Sequence, residues 1–156
     1  MDNQLAVQAE QALLGALLFN NKAWDRVADR VSSGDFAQAA HRVIWEVIAD
    51  QIGAGNAADP FIVATELERR GQLDRLPGGM SYLGMLHSQT PSAANVVQYA
   101  DRVRDQSILR QLVGVCADVS EEAQSGEGQP GEILETAAQR IGAIADGVKE
   151  LGSAIA

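Results

Sequence analysis

Cysteine, histidine, lysine and aromatic residues are all scarce in this chain, and each scarcity removes a class of function. The single cysteine, Cys116, leaves no disulfide framework within the chain. The only histidines, His41 and His87, lie far apart with no Cys/His or His-x-x-x-His spacing, which argues against a zinc site. The only lysines are Lys22 and Lys149, and neither follows a glycine. There is therefore no Gly-Lys-Ser/Thr phosphate loop and no nucleotide hydrolysis by that route. No Gly-x-Ser-x-Gly elbow accompanies any serine. Aromatics make up 4% of the residues, so Ala, Leu, Val and Ile must fill the interior, a mix that favours helices. Long apolar runs are missing too: the stretch from Ala12 to Phe19 is too short for a signal peptide or a membrane span. No membrane partner and a cytoplasmic location are the expectation.

At 156 residues the chain suits one domain, or one domain with an appendage. Its net charge of −9 is unevenly spread. Residues 1–104 hold 12 acids and 9 bases, whereas 105–156 hold 9 acids and 3 bases. Such a surface repels phosphate, so direct nucleic-acid binding is not expected, but it would steer a basic protein partner.

Periodicity predicts an all-α fold: a compact bundle of about five short helices plus a projecting antiparallel helical hairpin. The first helix spans 8–19, with Leu13, Leu14, Leu17 and Leu18 on one side and Gly15 set against a close neighbour. A second runs over 22–31, turning Trp24, Val27, Ala28 and Val31 inward; Phe36 then plugs the core. The third, over 38–51, buries Val43, Ile44, Val47 and Ile48. Asp59-Pro60 starts the fourth, which stops at Gly71, and Leu73 and Leu76 lie in a linker. Gly78-Gly79 precedes a fifth carrying Tyr82, Leu83 and Leu86, and Thr90 or Ser92 caps the long sixth.

The sixth helix turns at Ser125–Gly131, with three glycines and Pro130, and returns as a seventh to about Leu151. On the return arm Leu134, Ala137, Ile141, Ile144, Val148 and Leu151 step by three and four, as in a paired-helix seam. On the outgoing arm Leu109, Leu112, Cys116 and Val119 make one seam, which Ile108 and Val115 widen. One partner covers only a narrow seam, so the wider stripe predicts a second contact. The self-association set is Ile108, Leu112, Val115, Val119, Leu134, Ile141, Ile144 and Val148. The expected division is a globular head over 1–104, a hairpin over 105–151, and the start of a linker or tail over 152–156.

No residues converge on chemistry. Catalytic, cofactor and metal residues are all expected to be none. His41, among Ala40, Val43 and Ile44, reads as packing or a surface hydrogen-bond partner, and Cys116 as a small core residue. Gly126-x-Gly128-x-x-Gly131 matches a dinucleotide fingerprint in letters only, because it follows a helix and sits beside Glu127 and Glu132. Glu66, Glu68, Arg69 and Arg70 read as a solvated face.

Several motifs stand in a fixed order: Ala9-Glu10-Gln11-Ala12-x-Leu14-Gly15, Asp35-Phe36, His41-Arg42-x-Ile44, Gly78-Gly79-x-x-Tyr82-Leu83, and Thr90-Pro91-Ser92-Ala93-Ala94-Asn95 followed by Tyr99-Ala100 and Val103-Arg104. In order and spacing they resemble the N-terminal domain of bacterial replicative DNA helicases of the DnaB type, over residues 8–147. The family usually carries a proline and a serine before its Ala-Glu-Gln motif, where this chain has Leu5-Ala6-Val7-Gln8. The motor domain of such helicases is absent, so the resemblance favours an excised domain, with a free-standing adaptor that mimics the helicase collar as the alternative. It implies a head plus hairpin, dimers through the hairpin, a hexameric collar, and docking of the primase C-terminal helicase-binding domain and possibly a loader. It places Tyr82, Val113 and Val119 in the primase-contacting region. A small all-α acid/base enzyme built on Arg102, Arg104 and Arg110 is the remaining rival.

Overall fold

A computed structural model describes residues 3–90 and 92–155, with backbone alone for 151–155. All regular structure among the described residues is helical. The chain divides into two compact units, residues 1–104 and 105–156.

In the first unit, α1 (Asn3–Phe19) lies against α5 (Met80–Gln89) and α3 (Ala39–Gly53), and α4 (Pro60–Arg69) joins α3 to α5. The opening turns of α6 (Val96–Ser125) add Val96, Ala100 and Val103 to a core holding Leu13, Leu14, Leu17, Phe36, Ile44, Ile48, Leu67, Leu83 and Leu86. Gly15 earns its place inside α1 by close approach. A β-carbon there would sit 2.3 Å from the Leu86 carbonyl oxygen and 2.4 Å from Thr90 Oγ1. Asp59 caps α4 by accepting from the Ile62 N–H at 2.8 Å.

Three local expectations fail. α1 begins at Asn3, earlier than its apolar pattern suggests. The second helix is much shorter than 22–31: α2 covers only Trp24–Val27, behind a 3₁₀ turn over Asn21–Ala23. Side chains compete with helix at both ends of that stretch. Asn21 bonds the Leu17 and Ala58 carbonyls and accepts from the Ala58 N–H, while Asp35 accepts from the Ser32 N–H and hydroxyl to close a turn of its own. Neither Thr90 nor Ser92 caps α6, which starts at Val96; Ser92 instead accepts from the Ala94 N–H, Thr90 packs at Gly15, and Pro91 lies outside the described residues.

Glu66 is not merely solvated. Hydrogen bonds from Arg69, then Arg70, hold its carboxyl down to about 2, and Arg70 reaches on to Asp50 of α3 at 2.8 Å. A carboxylate depressed below its ordinary 4.5 adds stability above that pH and loses it as pH falls toward 2. Glu66→Gln should therefore flatten the pH dependence of unfolding between those limits; an unchanged curve would contradict the assignment. Gly15→Ala should cost about 2 kcal/mol or more in chemical denaturation. Gly84→Ala, which meets nothing within 4 Å, should be neutral or stabilising by up to about 1 kcal/mol. Equal effects at the two positions would refute the close approach.

In the second unit, the remainder of α6 and α7 (Pro130–Ile155) form an antiparallel pair. Gly126, at φ +71°, ends α6 in the left-handed region, and Pro130 opens α7 where a missing N–H costs nothing. The Arg140 guanidinium donates to Asp118 at 2.8 Å and marks the register. Equal rise per residue then sets Val115 level with about Ile144.

Candidate functional site

The hairpin carries two apolar stripes on each arm rather than one seam. The inner stripe is Ile108, Val115 and Val119 on α6, with Ile133, Ala137 and Ile144 on α7. Val115 is 7% exposed and the others are half-buried. The outer stripe is Leu109, Leu112, Val113 and Cys116 on α6, with Leu134, Ile141 and Val148 on α7, all exposed; Leu134 reaches 71% and Val113 61%. Cys116 is thus a surface residue rather than a core one. Ile133, not Leu134, covers the turn at Gly128. The side chain of Leu151 lies outside the described residues.

Successive residues turn by about 100° around a helix. Measured from Val115, the outer residues of α6 fall on one flank; measured from Ile144, those of α7 fall on the corresponding flank. Because the helices run antiparallel, both flanks open to the same side of the pair and make one face. Glu132, Glu135, Asp146 and Glu150 fall on the opposite side of α7. α7 is therefore two-faced, apolar on one side and acidic on the other, which a one-dimensional seam count does not reveal.

In the first unit the most buried polar chemistry is a chain of hydrogen bonds joining α1, α3 and α5. Glu10 and His41 are each 1% exposed, with Glu10 Oε1 to His41 Nδ1 at 2.7 Å. His41 Nε2 meets the Tyr82 hydroxyl at 2.6 Å, and Gln11 Nε2 donates to that oxygen at 3.2 Å. Glu10 Oε2 also accepts from the Ala37 N–H at 2.8 Å, just ahead of α3. Burial, then the Glu10 charge, pushes the Tyr82 phenol up, so the hydroxyl keeps its proton. Its proton goes to Nε2, and the Nδ1–H faces the carboxylate, an assignment made from the partners. Each group is satisfied within the chain, which makes this a structural joint rather than an acid/base centre. Arg104 is likewise engaged, donating to Asp35 at 2.8 Å, which removes it from the arginine cluster an enzyme would need. No group of three or more metal-ligating side chains occurs among the described residues.

Of the partner-contact candidates, Tyr82 is half-buried with its hydroxyl committed to His41. Val113 is exposed and Val119 half-buried. Six residues apart, the two valines point about 120° apart and do not share a face.

The motif residues meet in space: Glu10, Gln11, His41 and Tyr82 form one joint, and Asp35 and Arg104 another. The family model for the DnaB-like helicase N terminal domain matches residues 2–105. The chain belongs to that family. Among DnaB relatives, the replicative DNA helicase DnaB of Pasteurella multocida is 36% identical over 142 residues, covering 90% of this chain and 30% of the relative. The chain thus spans under a third of that protein. The crystal structure of the N-terminal domain of DnaB helicase from Mycobacterium tuberculosis superposes with a TM-score of 0.80 at 38% identity, covering 88% of this chain and 94% of that one. A structure of a DnaB-like replicative helicase and its interactions with primase shares the fold at TM-score 0.68 and 21% identity, covering 93% of this chain and 34% of that one. No helix among the described residues is long and apolar enough to cross a membrane.

Tyr82→Phe removes the proton donor to His41 Nε2 and should cost about 1–2 kcal/mol in denaturant unfolding, the penalty for stranding a buried acceptor. Glu10→Ala strands more groups and should cost more. If both variants unfold at the wild-type midpoint, the joint does not hold the three helices together.

Proposed function

We propose that this chain is the collar domain of a replicative DNA helicase. It would organise the hexamer through hairpin-paired dimers and dock the C-terminal helicase-binding domain of primase, with a loader as a further partner. It performs no catalysis and holds no cofactor. Strand separation and ATP hydrolysis would belong to other parts of a longer protein, and nucleic acid would be gripped there rather than on this acidic surface.

The observation that carries this reading is the single apolar face across α6 and α7. Fully burying a leucine or isoleucine side chain is worth about 2 kcal/mol. Leu109, Leu112, Val113, Leu134, Ile141 and Val148 together therefore offer several kcal/mol to whatever covers them. A second hairpin presents the same face, as a two-fold interface requires. The opposite, acidic side would stay outward, where it suits a basic partner. Membership of the DnaB-like family, and a fold neighbour solved for its interactions with primase, favour primase as that partner.

Light scattering after size exclusion tests the reading. The wild-type chain should show a dimer that dissociates on dilution, and should bind the cognate primase C-terminal domain. Leu112→Asp and Ile141→Asp should each shift it to monomer, because a buried unpaired charge costs about 3 kcal/mol or more. Unchanged mass for both variants would count against the hairpin interface. A wild-type chain that ignores primase would remove the docking role.

A further inference from the structure

In a chain that is 21% charged, α1 and α5 carry almost no charge. Their 17 and 10 residues include one Asp, Glu, Lys or Arg, which is Glu10, and Glu10 is buried. The side chains these two helices show to solvent are therefore neutral. They are also partly apolar: Leu5 is 62% exposed and Phe19 47%. Leu5, Gln8, Ala12, Gly15 and Phe19 step by three and four along α1. They lie within about 80° of one another, on the side away from Leu13 and Leu17. α5 closes over this stripe at Gly15, and Phe19 leans on His87 with ring centroids 5.9 Å apart. Between the two ends Gln8 is exposed and Ala12 half-buried, with Gln11, Met85 and Gln89 beside them.

We propose that this stripe is a second self-contact, in which α1 packs antiparallel on α1 of another copy about a two-fold axis at Ala12. Ala12 lies seven residues from Leu5 and seven from Phe19. The axis therefore sets Leu5 of each copy against Phe19 of the other, with small alanines where the backbones cross. A two-fold contact requires this kind of self-complementarity. Loss of charge is the compositional mark of an interface core. Between copies of net charge −9, a neutral stripe is also where like surfaces meet without repulsion. The flanking glutamine carboxamides both donate and accept, so they too pair with their own kind. The proposal deepens the collar reading and rests on it for its role. A hairpin contact uses its face in making one pair, and a ring of three pairs needs a further contact. The α1 contact is the weaker of the two, offering two large exposed apolar side chains per copy against six on the hairpin face.

Cross-linking reads the geometry. With Cys116→Ser removing the native thiol, Ala12→Cys should form a disulfide-linked dimer under mild oxidation, because the axis brings the two positions within bonding reach. Gly84→Cys, exposed on α5 with nothing near it, should not. Sedimentation velocity of the Leu112→Asp chain reads the contact without the hairpin. Its mass should still rise from one chain to two, at concentrations above those that pair the wild-type hairpins. The rise should be the same at low and high salt, since no charges are brought together. Adding Leu5→Asp, at an exposed site that folding tolerates, should move that rise to about tenfold higher concentration or more. The hairpin contact and this one thus fail separately. Ala12→Cys linking no faster than Gly84→Cys overturns the proposal. So does a Leu112→Asp chain that stays monomeric at every concentration, or one whose pairing ignores Leu5→Asp.

Discussion

Two helices can hide only one stripe of each other, and that geometric limit governs the second unit. α6 and α7 spend the limit on Ile108, Val115, Val119, Ile133, Ala137 and Ile144. What remains is an apolar band that a lone hairpin has no means to cover. The Asp118–Arg140 pair marks the register, in which the leftover side chains of both arms open on one side while Glu132, Glu135, Asp146 and Glu150 face away. The amphipathic character of the unit thus follows from helix periodicity and from which stripe the two arms bury.

The first unit solves a different problem. Its helices are short, and short helices gain little from propensity alone. They are held by apolar contact and by buried polar joints that cross between elements. Glu10 serves two purposes, accepting from the Ala37 N–H ahead of α3 and facing His41. Asp35 also serves two, closing the turn with Ser32 and accepting from Arg104 on α6. Groups this buried must be satisfied or become costly, and these two acids are satisfied by partners from distant parts of the sequence.

Much of the fold was legible from spacing. The helices at Ala39–Gly53, Pro60–Arg69 and Met80–Gln89, the turn at Ser125–Gly131 and the close approach at Gly15 all carry local signals: apolar period, Asp-Pro caps, glycine and proline. The short α2 was not legible, because Asn21 is recruited by Ala58, far along the chain. Nor was the role of His41, whose partners Glu10 and Tyr82 come from two other helices. The stripe on the hairpin was visible as too wide, yet which half faces inward depends on register. Leu134 and Ile133 therefore exchange places, and Cys116 moves to the surface.

The central claim is that the outer face of the hairpin is covered when copies meet. Cys116 is the only thiol and lies in that face, so its rate of reaction with a soluble disulfide reagent reads the coverage directly. The account predicts fast modification in dilute protein, marked slowing as concentration rises, and no slowing in Leu112→Asp. A rate equally fast at every concentration in the wild-type chain would contradict it.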